Sequence, residues 1–151
     1  MRARILMLPF LLLLLAGTTA EATAPRIIKV LPQYLDLQGR HALTPSLFDR
    51  DAYQARLRRR PEDRSGLRFA IQWKASAGLY KLRVELRGAH GQEASVATLQ
   101  KSVEYRGFFG KWVFLDLRGE DYKAFGELTA WRATLWEGDQ KVGEQRSFLW
   151  Q

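Results

Sequence analysis

The sequence predicts a mainly β domain, an antiparallel sandwich of about seven strands with one helix inserted near residues 46–60. Two observations predict it. Several short runs alternate apolar and polar residues with a period of two and are separated by turn residues. Near the carboxyl end, two β-rich runs flank Gly138-Asp139, a typical hairpin signal. The length of 151 residues fits a single domain.

The amino terminus has the pattern of a secretory signal peptide. A basic start is followed by the apolar run Ile5–Leu15 and by small residues ending at Ala20. We therefore predict a signal peptide over residues 1–20 and one sandwich domain over residues 21–151. Cleavage after Ala24 also fits, and an uncleaved anchor is the alternative, although the apolar run is short for a membrane span. We expect a periplasmic or extracellular protein with no transmembrane segment after cleavage.

The chain is basic and lacks cysteine. Its net charge of +8 falls by two, to +6, when Arg2 and Arg4 leave with residues 1–20, which contain no acid. A basic balance favours anionic partners such as envelope polymers or lipid headgroups, and we rank nucleic acid last. A charge that serves only solubility explains it equally well. The lack of cysteine excludes disulfides and fits an exported bacterial protein.

The first elements are a strand and the helix. Residues 26–31 form a short β-run stopped by Pro32, as is typical of an edge strand, and residues 34–37 are a candidate continuation. Ser46 or Asp49 then caps a helix that ends at about Arg60, before a proline.

The clearest alternation lies in residues 67–74 and 79–87, which predict a hairpin joined by a four-residue loop. In the register that matches apolar side chains, Trp73 lies opposite Tyr80 and Arg68 lies opposite Glu85. Further strands are predicted at 96–105 and 112–117, with a helical turn at 119–126.

The final hairpin, residues 128–150, carries a Trp on each face of its first strand. We expect helix 46–60 to cover the second face. The register stays open, because a two-residue turn pairs Leu135 with Val142, whereas a three-residue loop pairs Trp136 with Val142.

This order of elements over residues 25–150 resembles an immunoglobulin-like or fibronectin-type-III-like domain, with Tyr122 at the corner before the penultimate strand. The paired cysteines of antibody domains are absent from the sequence. The segment 31–48 is also similar to uncharacterised exported bacterial proteins. These resemblances imply a fold and carry no function.

The sequence offers no catalytic set. Its two histidines, His41 and His90, lie in predicted turns, and no nucleophile-elbow, phosphate-binding or metal-ligand spacing accompanies them. We therefore expect no enzyme activity, no cofactor and no metal, and we rank a small hydrolase last.

Two surfaces are candidates for binding. The first is an aromatic loop bracketed by glycines, which is either a ligand platform or an apolar plug at one end of the sandwich: Tyr105, Arg106, Phe108, Phe109, Lys111 and Trp112. The second is either an anion-binding surface or an ordinary solvated face: Arg56, Arg59, Arg60, Arg68 and Arg83.

The leading hypothesis is a non-enzymatic binding or adaptor domain of the bacterial cell envelope that binds an envelope protein. The alternative is an envelope-associated protein that uses its basic face on anionic polymer or lipid. The sequence does not indicate the partner or the oligomeric state.

Overall fold

The computed structural model describes residues 24–107 and 109–151. Seven strands form two antiparallel sheets, consistent with a β-sandwich, and two α-helices accompany them, so the mainly β prediction is confirmed. The predicted signal peptide and Phe108 lie outside the described residues. The elements are β1 Arg26–Asp36, α1 Leu47–Arg59, β2 Arg64–Lys74, β3 Gly78–His90, β4 Glu93–Tyr105, β5 Lys111–Arg118, α2 Gly119–Phe125, β6 Glu127–Glu137 and β7 Gln140–Arg146, with a 3₁₀ turn at Pro61–Asp63.

The three-stranded sheet has the order β1-β2-β5, and the four-stranded sheet has the order β4-β3-β6-β7. Alternate side chains of each sheet form a common core, in which Phe69 and Ile71 of β2 and Leu82 and Val84 of β3 are fully buried. Removing these side chains from water is the main force that holds the two sheets together.

The predicted hairpin of residues 67–74 and 79–87 is wrong, because β2 and β3 belong to different sheets. The predicted pair of Arg68 with Glu85 is therefore absent. Arg68 Nε donates instead to Asp116 on β5 at 2.8 Å, and Arg132 Nε on β6 donates to Glu85 at 2.8 Å. A period of two shows which face of a strand is buried, but it does not identify the neighbouring strand.

Strand β1 is an edge strand, as predicted, and it runs through Pro32 into the candidate continuation, ending at Asp36. Pro32 has no N–H to donate, but an edge strand tolerates it on its open side, because no hydrogen bond to a neighbouring strand is lost there. Helix α1 is capped by Ser46, whose hydroxyl accepts from Asp49 N, and it packs against β1. The prediction that this helix covers the final hairpin is therefore wrong.

Gln54 explains the position of α1. Its Oε1 accepts from Tyr34 N at 2.8 Å, and its Nε2 donates to Tyr34 O at 2.9 Å. The buried amide thus satisfies backbone groups that an edge strand otherwise leaves unpaired.

The final hairpin turns at Gly138-Asp139, and Glu137 pairs with Gln140. A bulge follows, so that Leu135 pairs with Gly143 and neither predicted partner of Val142 is observed. Strand β7 ends at Arg146, earlier than predicted.

The last residues fold back over β6. Ser147 N donates to Trp131 O at 2.9 Å. Trp150 then packs beneath the guanidinium groups of Arg87 and Arg132, at 4.1 and 5.0 Å from its ring centroid. This contact covers part of the second face of β6, the position predicted for the helix.

The two lateral sides of the sandwich differ. On one side, β1 and β7 are adjacent, and Gln145 Nε2 on β7 donates to Ile27 O at 3.3 Å and Ile28 O at 3.1 Å. On the other side, β4 and β5 are adjacent but are not hydrogen-bonded into one sheet. The sandwich is therefore open between these two edge strands.

Candidate functional site

A cleft of about 860 Å³ lies between β4 and β5, at the end where the aromatic loop joins them. Residues 101–107 and 109–114 line it. The structure therefore brings together the described members of the predicted aromatic loop at the open side of the sandwich. We call this site the cleft.

Tyr105 lies at the base of the cleft and holds the loop. Its ring is fully buried, and its centroid lies 5.0 Å from that of Trp73. Its hydroxyl donates to the carbonyl oxygen of Phe109. Tyr105 therefore matches the plug interpretation, because it links the loop to the core.

Phe109 and Trp112 behave differently. The side chain of Phe109 is 87% exposed, and Trp112, near the loop on β5, is 40% exposed. Large aromatic side chains are usually buried, so two of them at the rim of a cleft match the platform interpretation. The loop thus has a packed base and an exposed aromatic rim.

The rim is mainly cationic. Arg106 makes a bidentate ion pair with Glu104, with both nitrogen–oxygen distances 2.9 Å. Lys111 Nζ donates to Glu104 O at 3.3 Å, and Lys101 adds a third cation. Three cations and one carboxylate line the cleft, which favours an anionic or acidic ligand.

The predicted anion-binding residues do not form one surface. Arg56, Arg59 and Arg60 lie at the end of α1, whereas Arg68 and Arg83 lie on strands of different sheets. The hydrogen bond to Asp116 raises the pKa of Arg68, and that same bond holds the pKa of Asp116 below its usual range.

Several of these arginines also have partners within the chain. Arg56 lies 4.8 Å from the ring centroid of Tyr53, and Arg60 pairs with Asp63 at 3.5 Å. Arg83 lies 5.7 Å from the ring centroid of Trp136. Anion binding by these five arginines stays a prediction.

The role of Asp36 was not predicted from the sequence. This buried carboxylate accepts from Tyr53 Oη at 2.5 Å, from Arg40 Nε at 2.9 Å and from two backbone N–H groups at Gln38 and Arg40. Burial raises the pKa of Asp36, but these donors together outweigh burial and hold it below its usual range. The arrangement joins β1, its turn and α1, and it has no open position for a substrate.

The two histidines lie apart from the cleft. His41 is half-buried, and burial lowers its pKa, with Arg68 and Arg50 lowering it further. Across residues 24–107 and 109–151, no group of three or more His, Asp or Glu side chains is placed to hold a metal ion. The absence of enzyme activity and of cofactors stays a prediction.

Within the same described residues, no helix is long and apolar enough to cross a bilayer. Comparison of the chain with protein-family models, with curated proteins and with solved structures finds no match. The function is therefore inferred from the cleft and its surroundings.

Proposed function

We propose that this chain is a non-enzymatic binding or adaptor domain of the bacterial cell envelope, and that the cleft is its ligand site. One observation carries the proposal. A concave site of about 860 Å³ coincides with an exposed Phe109 and with Arg106. That volume is typical of ligand sites, and aromatic and arginine side chains are enriched where binding energy is concentrated.

The fold assignment in this proposal is an immunoglobulin-like or fibronectin-type-III-like sandwich. Its support is the sheet order, in which the connections β2–β3, β4–β5 and β5–β6 all pass from one sheet to the other. Such crossing connections are typical of Greek-key sandwiches. Tyr122 is half-buried at the corner between β5 and β6, near the position at which these folds place a tyrosine.

The envelope location rests on the amino-terminal pattern of basic, apolar and small residues. A net positive charge also suits a compartment whose polymers and lipids are largely anionic.

The test is capture of a partner from envelope extract with immobilised protein. Phe109→Ser is expected to lose the partner, whereas Phe148→Ser is expected to keep it. The second variant is the matched control, because Phe148 is 92% exposed and lies outside the cleft. Both variants are expected to unfold at the wild-type urea concentration, since neither removes a buried side chain.

A salt series separates the leading hypothesis from the alternative. A shape-specific protein partner is expected to stay bound at about 1 M salt, whereas purely electrostatic capture collapses. Equal capture by wild type and Phe109→Ser contradicts the cleft as the site.

The alternative, contact with anionic lipid or polymer, is favoured by one observation on α1. Phe48 is 82% exposed, and Arg59, eleven residues later, lies on the same side of the helix. An aromatic side chain and a cation exposed on one side of a helix are features of surfaces that bind membranes. Sedimentation with anionic vesicles tests it: Arg59→Glu is expected to weaken binding, and the exposed Arg146→Glu is not.

A further inference from the structure

The open side of the sandwich contains a second cavity in line with the cleft. It measures about 290 Å³ and lies at the opposite end of the same two strands, between residues 95–99 of β4 and Leu117 of β5, with Asp121 and Phe125 of α2 at its end. The residues that line the two cavities follow β4 from 95 to 105, and we call this stretch of the open side the groove. A site of this length fits an extended chain better than a compact small molecule.

Both walls of the groove are sheet edges. In the described part of the chain, β4 is hydrogen-bonded only to β3, and β5 only to β2. In an antiparallel strand, every second residue directs its N–H and C=O away from its partner, so β4 presents a row of backbone groups to the groove, of which Glu104 O accepts from Lys111 Nζ. Strand β4 spans 13 residues and contains no proline to interrupt that row.

We propose, building on the function proposed above, that the groove binds an extended peptide segment of a partner protein, which adds to β4 as an antiparallel fifth strand of the four-stranded sheet. Backbone hydrogen bonds to β4 supply affinity that is independent of side chains. Antiparallel addition continues the pattern of every existing pair in this sheet. A segment of about eight residues covers about 27 Å of the edge.

Lys101 gives the groove its selectivity. Leu99 and Val103, two positions away on either side, pack against the core, so Lys101 belongs to the inward-facing set of β4. It is nevertheless exposed, because the groove lies open at that position. An inward-facing charge on an edge strand opposes pairing with arbitrary strands. A strand that places a carboxylate beside Lys101 pairs with this charge and can add to β4.

The charges give the groove a direction. Lys101, Arg106 and Lys111 outnumber Glu104 at its loop end, which is therefore positive, whereas Asp121 is the only charged side chain among the described residues lining the opposite cavity. Strand β4 ends at the loop, so a strand antiparallel to β4 has its amino-terminal half there. The bound segment therefore carries an acidic residue in its amino-terminal half and a basic residue towards its carboxyl end.

The test is selection from a phage-displayed library of random peptides of about eight residues against the whole protein. We expect enrichment of peptides with β-branched residues at alternate positions, an acid in the first half and a base in the second. Lys101→Glu is expected to reverse the preference in the first half, from acids to bases. Gln100→Glu, on the outward face of the same strand, is the matched control and keeps the wild-type preference.

A second measurement tests strand addition itself. The best selected peptide is made in two forms, N-methylated at odd or at even positions. One form is expected to lose more than about tenfold in affinity because its methyl groups replace the N–H donors facing β4. The other form binds nearly as the parent does. Equal losses from both forms, or enriched peptides without a charge direction, overturn the proposal.

The remaining outcomes are also decisive. If the protein is a dimer that the selected peptide dissociates, a second copy already occupies the groove and the proposal of a partner segment fails. If no peptide is enriched while Phe109→Ser still loses its envelope partner, the ligand is not an extended peptide, but the proposed function stands. If Phe109→Ser also keeps its partner, both fail.

Discussion

Trp73 and Tyr80 pack edge to face with their ring centroids 5.4 Å apart, although they lie on strands of different sheets. Tyr105 of β4 lies against the same indole at 5.0 Å. Because the Tyr105 hydroxyl also holds the backbone of Phe109, the indole connects both sheets to the base of the cleft. Aromatic contacts of this kind contribute beyond their buried area.

Removal of this indole is expected to be severe. Trp73→Ala should lower the free energy of unfolding by about 3–5 kcal/mol, as deletion of a buried aromatic side chain does. Gln72→Ala, which changes the neighbouring residue on the outer face, should cost less than about 0.5 kcal/mol. Urea titrations of both variants measure the difference. Comparable losses would contradict the assignment of Trp73 to the sandwich interior.

The contact also shows what the sequence could predict about the fold. Alternation in residues 67–73 and 80–86 correctly identified the buried faces, including Trp73 and Tyr80. The alternation did not identify which strands pair, because a short connection can join two strands of one hairpin or two strands of different sheets. The predicted hairpin register gave every apolar side chain an apolar neighbour. The observed crossing between the two sheets does so too. Only contacts distant in sequence, such as Arg68 with Asp116, separate the two.

The site was predictable to a similar extent. Glycines and aromatic residues identified the loop that borders the cleft, and Phe109 of this loop is exposed, as the platform interpretation requires. Lys101 and Asp121 were missed, because their place in the groove depends on β4 and β5 being adjacent edges. Tyr105, predicted as a member of the candidate loop, is buried, because one side of an edge strand still faces the core.

Arg64 is expected to be important for stability although it is a charged residue. Its guanidinium is buried and donates to Leu57 O at 2.5 Å, to Arg58 O and to Glu127 at 2.6 Å. Arg64→Ala leaves carbonyl groups at the end of α1 without donors, each worth about 1–3 kcal/mol. Arg64→Lys should not restore stability, because one ammonium does not reproduce the planar fork of donors.

The matched control for Arg64 is Arg59→Ala. Arg59 is exposed, so this variant should stay within about 0.5 kcal/mol of wild type in the same urea titration. Recovery of stability in Arg64→Lys would indicate that charge alone, and not the set of donors, is required.

The lowered pKa of Asp36 predicts that the protein loses stability in acid. Its pKa in the folded state lies below the ordinary value of 3.8, so the unfolded chain binds more protons in this range. The stabilisation is complete above the ordinary pKa and is lost as the pH falls through the folded-state pKa. Urea titrations between about pH 2 and pH 7 should therefore show stability rising with pH.

Asp36→Asn should be less stable than wild type at neutral pH and should show a shallower dependence on pH below about 5. Asp51→Asn is the control, since its carboxylate is exposed, and it should follow the wild-type curve. Parallel curves for wild type and Asp36→Asn would mean that Asp36 does not titrate differently on folding.

Export predicts the mass of the mature protein. The pattern before Glu21 places cleavage after Ala20, or less favourably after Ala24, so the chain from its native host should begin at Glu21 or Pro25. Intact-mass spectrometry measures this directly. A mass that still includes residues 1–20 would contradict cleavage and would favour the anchor.

Gly126 connects α2 to β6 and is expected to tolerate no side chain. Its φ of 75° and ψ of −139° lie in a region that is essentially restricted to glycine. A Cβ there would lie 2.3 Å from Ala89 O on β3.

Gly119, at the start of α2, has a similar φ of 62° but has open space around it. Gly119→Ala should therefore cost only about 1–2 kcal/mol of backbone strain. Gly126→Ala should cost about 1–3 kcal/mol more, because the methyl group forces α2 away from β3. Urea titrations of both variants measure the difference. Equal costs would mean that α2 and β3 separate without loss and that the end of the groove formed by Asp121 and Phe125 is not fixed by this contact.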